Sequence, residues 1–142
     1  MQKEKLDKAV FRYIEYELYN YESTKKEIEF LREQIMNSSP RTKATDEEQV
    51  QGGQQSNPTE QKGMRLTTNA VLLNMIKVVE CIDNAFRFLD EEHHTIYQKK
   101  YKEGKHWQQI ITEMPISQDT YFRKRREIVY AVAVQMGKIS PD

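Results

Sequence analysis

At 142 residues the chain is long enough for one ordinary domain with an appendage and too short for two full catalytic domains. Its 22 basic and 22 acidic side chains cancel, so net charge neither favours nor excludes a polyanionic partner. A single cysteine, Cys81, excludes an intrachain disulfide framework, and no run reaches the roughly 20 apolar residues that cross a bilayer.

In chain order, Leu6, Val10, Tyr13, Ile14 and Leu18 recur at steps of three and four and predict a helix with one apolar face. Aromatics are dense there: Phe11, Tyr13, Tyr16, Tyr19 and Tyr21 exceed what one short helix covers, which points to packing against another helix or another chain. Thr24 and Glu27 have capping-box spacing and predict the start of a second helix carrying Ile28, Leu31 and Ile35. Residues 38–63 have no aromatic side chain and scattered Gly and Pro, so they read as a flexible polar linker with a typical span of about 25–30 Å.

Leu66, Ala70, Leu73, Ile76, Val79 (or Val78), Ile82, Phe86 and Leu89 predict one long amphipathic helix with Cys81 as a buried, inert thiol. Asp90, Glu91 and Glu92 suit the positive end of the next helix, whose apolar face is Ile96, Tyr97 and Tyr101 and whose stop is Gly104.

Lys105 to Val132 reads as a helix-turn-helix. A short helix with Trp107, Ile110 and Ile111 meets the Met114-Pro115 break, because proline lacks an N–H and clashes with the preceding turn. Ser117 can cap a restarting helix, with Ile116 as its staple. That helix presents Gln118 and Asp119 at its tip and Arg123, Lys124, Arg125 and Arg126 one turn on, then runs through Ile128, Val129 and Val132 to Gly137. Residues step by about 100° along a helix, so four consecutive cations cannot share one face and some must point toward the bundle. From Lys99 to Arg126 basic residues outnumber acidic ones, the local excess a phosphate surface uses.

In a helix-turn-helix the second helix enters the major groove tip first. Gln118, Asp119, Phe122 and Arg123 are therefore the candidates for base edges, and Lys105, Gln108, Lys124, Arg125 and Arg126 those for phosphates. Trp107, Ile111, Ile116, Tyr121 and Ile128 are expected to hold the two helices at their angle. His93 and His94 are adjacent and so point apart, His106 stands alone, and no nucleophile or phosphate-loop motif occurs. Neither an enzyme nor a metal or cofactor site is expected.

The run FRFLDEEHHTIYQKKYKEGKHWQQIITEMPISQDTYFRKRREIV resembles region four of bacterial sigma factors, from which it departs in carrying Arg125 where an apolar core residue is common. With IEYELYNYESTKKEIEFLREQIMNSS and the polar linker, the whole chain is similar to the phage RinA/ArpU-type transcriptional regulators. The resemblance implies an all-α chain with an N-terminal helical segment at 1–37, a linker at 38–63 and a four-helix sigma region-four-like domain at 64–138. It also implies an activator of phage late-gene transcription in the bacterial cytoplasm. The implied partners are double-stranded promoter DNA and host RNA polymerase, with residues 1–37 either dimerising or touching polymerase. Two other readings stay open, a small terminase subunit that packages phage DNA and a sigma- or polymerase-binding module.

Overall fold

The computed structural model describes residues 5–37 and 58–140. These residues form six helices: α1 (Lys8–Tyr19), α2 (Tyr21–Asn37), α3 (Pro58–Phe86), α4 (Glu91–Ile96), α5 (Trp107–Glu113) and α6 (Gln118–Gln135). A π-helical turn, Tyr97–Lys102, continues α4. The chain is all-α, as its periodicity predicts, and no strand occurs among the described residues. Nor is any helix among them long and apolar enough to cross a membrane.

Asp7 caps α1 by accepting a hydrogen bond from the Ala9 amide, and Ile14 and Leu18 are its buried side chains. The helix ends at Asn20, whose side-chain amide donates to the Tyr16 carbonyl and draws the backbone out of helical register. One residue later α2 begins, at Tyr21 rather than at the Thr24 capping box. The break is made by the Asn20 side chain, and Thr24 lies inside the helix. The tyrosines divide. Tyr19 sets its ring edge-on to Tyr101 with centroids 4.8 Å apart, whereas Tyr16 is mostly exposed.

Of the linker expected at 38–63, residues 38–57 lie outside the described residues, and 58–63 belong to α3. Proline is tolerated in a first turn, where its missing N–H has no intrahelical partner, and the Glu, Gln and Lys that follow are good helix formers. On α3 the expected stripe is buried in its second half, at Val78 and Ile82 with Phe86 and Leu89 packed alongside, but not in its first. Leu72, Val78, Cys81, Ile82 and Ala85 are buried, while Leu66 and Leu73 are 62% and 66% exposed. A stripe at 66, 70 and 73 is as regular as the buried one, and periodicity alone does not say which stripe a neighbour covers.

Contacts divide the chain into a unit of residues 1–22 with 78–142 and a unit of residues 23–77. This differs from the expected division at 37/38 and 63/64, because α1 is packed into the same core as the C-terminal helices. In that first unit Ile14 and Leu18 join Val78, Ile82, Ile96, Tyr101, Ile110, Tyr121, Ile128, Val129 and Val132 in one buried cluster. Each large side chain fully buried there contributes about 1.5–3 kcal/mol. In the second unit the buried hydrophobic side chains among the described residues are Ile28 and Leu72, and Phe30, Met36 and Val71 are exposed with Leu66 and Leu73.

The π turn has a packing reason. Its Glu103 amide donates to the Gln98 carbonyl five residues back, at 2.9 Å. A turn of that width brings residues five apart toward one side, so Ile96 and Tyr101 are both buried. Gly104, at φ 71°, then reverses the chain into α5, and Gly137, at φ 74°, ends α6, both in the left-handed region that glycine adopts without penalty.

Candidate nucleic-acid interface

The joint between α5 and α6 is built from local chemistry. The His106 side chain accepts from the Gln108 amide at the start of α5, and Met114 and Pro115 form the turn that stops it. Ser117 Oγ accepts from the Thr120 amide at 3.0 Å and starts α6, with Asp119 in the favourable first turn. Beneath the joint Ile110, Tyr121 and Ile128 are fully buried, and Trp107, Ile111 and Ile116 pack around them.

The four consecutive cations of α6 split by helical geometry. Arg123 and Arg126, three residues apart, are exposed on one side, while Lys124 is buried and Arg125 half-buried on the other. Gln118 and Asp119 are exposed as well. At about 100° per residue these four exposed side chains fall within roughly 140° of arc. Gln108 is exposed on α5.

Phe122, expected at base edges, is instead drawn to the core border. Its ring lies 5.3 Å from Trp107 and 5.0 Å from Tyr121, centroid to centroid, so its work is to hold α5 against α6.

Lys124 and Arg125, expected at phosphates, make internal ion pairs. Lys124 Nζ donates to Asp90 Oδ2 at 3.0 Å and lies 3.2 Å from Glu92 Oε1, tying α6 to the start of α4. Burial pulls the Lys124 pKa down, and the Asp90 and Glu92 carboxylates outweigh it and hold it above the ordinary lysine value. Arg125 grips Glu15 of α1 with two hydrogen bonds, Nη2 to Oε1 at 2.8 Å and Nε to Oε2 at 2.9 Å, and its guanidinium lies over the Phe11 ring. Tyr101 Oη donates to the same carboxylate, closing a three-element clasp of α1, the π turn and α6. Burial raises the Glu15 pKa, but Arg125 and Tyr101 win and hold it below the ordinary value.

Lys105 is also engaged, 2.8 Å from Glu113 and 3.2 Å from Glu103, while Lys99 reaches Glu113 at 2.8 Å. The two lysines hold the Glu113 carboxyl down at about 2. Of the expected cations, Arg123 and Arg126 therefore remain on the outward face. Arg123 reaches Glu127 only at 3.5 Å, and Arg126 forms no ion pair among the described residues.

Two polar centres escaped the sequence reading. His93, buried, completes the capping box of α4. Its amide donates to Asp90 Oδ1, its Nδ1 lies 2.7 Å from that oxygen, and its Nε2 lies 2.8 Å from Glu127 Oε1. The spacing Asp90 to His93 is that of a capping box with His in place of Glu or Gln, a local but weak signal. Glu15 left no signal at all, because its partner is 110 positions away. Among the described residues no group of three His, Cys, Asp or Glu side chains is placed to hold a metal ion.

Residues 3–134 match a family described as a protein of unknown function (DUF722). The chain belongs to the DUF722 family. A search of the curated proteins and a search of the solved structures each found no match for it. In this DUF722 member the matched span takes in both the clasp at Glu15 and the outward face of α6.

Proposed function

We propose that the chain is a sequence-specific, double-stranded-DNA-binding transcription regulator of a phage or prophage, activating late genes through promoter DNA and host RNA polymerase. One observation carries this reading. On the first turns of a capped helix that follows a four-residue joint, Met114 to Ser117, the exposed side chains are an amide, a carboxylate and two guanidinium groups. That is the inventory that reads base edges and holds phosphates from the tip of a helix in the major groove. The resemblance to sigma region four and to the RinA/ArpU-type regulators supports the same reading.

In this account Gln118, Asp119 and Arg123 face bases, and Arg126 and Gln108 hold phosphates. Phe122, Lys124 and Arg125 act indirectly by fixing the angle and height of α6. The test is a mobility-shift titration over salt on DNA from the phage's own late promoter and on random duplex. Arg123→Ala is expected to lose about 1–3 kcal/mol on the specific site and to relax sequence choice, while Arg126→Ala weakens both duplexes alike and flattens the salt slope. Affinity that does not fall with salt, or equal loss on both duplexes for Arg123→Ala, would overturn the assignment.

A further inference from the structure

We propose that the cavity between the start of α1 and the outward face of α6 is a binding site for a small organic anion with an aromatic or acyl body. Its volume is about 550 Å³, within the range of small-molecule sites. Leu6, Phe11 and Tyr130 make its apolar wall, and Lys5, Arg123 and Arg126 its charged one.

The charge balance decides the sign of the ligand. The carboxylate that lines the cavity, Glu127, is already held through Oε1 by His93 at 2.8 Å and approached by Arg123 at 3.5 Å. Lys5 and Arg126 have no ion-pair partner among the described residues. Among the described residues the cavity therefore offers two cations without an ion-pair partner, the Lys5 ammonium and the Arg126 guanidinium, whose planar fork matches a carboxylate or a phosphate ester, beside Arg123, which Glu127 already approaches.

The apolar wall decides the rest. An inorganic ion or a phosphodiester backbone uses the cations and gains nothing from Leu6, Phe11 and Tyr130. A flat or acyl body takes that surface out of water while its charged end stays with the guanidinium groups. Because Arg123 and Arg126 also belong to the face proposed for DNA, an anion seated here would compete with the duplex for them. That consequence rests on the proposed function; binding of the anion does not.

The experiment is a calorimetric titration of the full chain with 2-naphthoate, with its neutral counterpart 2-naphthylmethanol, and with inorganic phosphate. Saturable binding of one naphthoate per chain is expected, at least roughly tenfold tighter than the alcohol or phosphate and roughly tenfold weaker in Arg126→Ala, an exposed site whose change leaves the fold intact. Lys5→Ala repeats the measurement at the other end of the cavity and is expected to weaken binding as well. No saturable binding of naphthoate or of decanoate, equal binding of the alcohol or of phosphate, or undiminished binding by both variants would overturn the site. If the chain binds DNA, naphthoate is expected to release it, and release without competition for Arg123 and Arg126 would overturn the antagonism. Failure to bind DNA at all leaves the calorimetric outcome standing by itself.

Discussion

Two sides of the same turn of α6 use one kind of residue for opposite purposes. Lys124 and Arg125 point inward and bind α6 to Asp90 and Glu92 on one flank and to Glu15 on the other. Arg123 and Arg126 point outward, with at most a loose i,i+4 contact to Glu127. A charge run is thus a mixture, and its members are told apart by what the rest of the fold places opposite each one. A lysine met by carboxylates in a partly dehydrated site fixes the helix, and an arginine met by water is available to a partner.

The largest test of this contrast is Arg125→Ala. It leaves Glu15, whose side chain is 14% exposed, without its bidentate partner and strips the cover from Phe11, so unfolding stability should fall by about 2 kcal/mol in a urea titration. A loss below a few tenths of a kcal/mol would show that the clasp is ornamental.

Acid attacks the inward pairs at Glu15 and Asp90, and more weakly the exposed pair at Glu113, which water screens. Burial works against the Glu15 charge but Arg125 and Tyr101 outweigh it, the His93 amide and Lys124 hold Asp90 well below the usual carboxylate range, and Lys105 and Lys99 hold Glu113 at about 2. In the unfolded chain these groups titrate near 4, so on acidification the unfolded state takes up protons first. Stability from these groups is therefore complete above about pH 4 and lost as pH falls toward 2. Urea midpoints measured across that range should decline steadily, and the decline should be shallower in Glu15→Gln; a flat profile would contradict the ion-pair assignment.

Lys124→Ala should cost less than Arg125→Ala, about 1 kcal/mol, because its partners Asp90 and Glu92 are each more than half exposed and water replaces the lysine in part. Smallest of all, Arg123→Ala and Arg126→Ala should leave stability within about 0.5 kcal/mol of the parent while changing DNA affinity. A thermal melt of the four variants, run alongside the mobility shifts, checks the ranking in one series. If the outward pair proved as destabilising as the inward pair, the division of α6 into two sides would be wrong.

The same lesson holds for α3. Its helical period is plain in the residues, yet Leu66 and Leu73 face water in the unit of residues 23–77 while Leu72 is buried. Periodicity defines candidate stripes but not which of them meets a neighbour. Phe122 shows the converse: a side chain whose type and height on α6 suit a base edge packs its ring against Trp107.

Local chemistry was readable from the sequence. Ser117 as a cap, Pro115 as a break, Gly104 and Gly137 as stops, the all-α class and the inward turn of part of the 123–126 run follow from interactions within a few residues, which short segments specify alone. The tertiary structure alone decided that α1 belongs to the C-terminal core, that Glu15 receives Arg125 across 110 positions, and that a π turn buries Tyr101. Those outcomes depend on which surfaces meet once the chain has collapsed, and the sum of packing over many partners leaves no trace at any one of them.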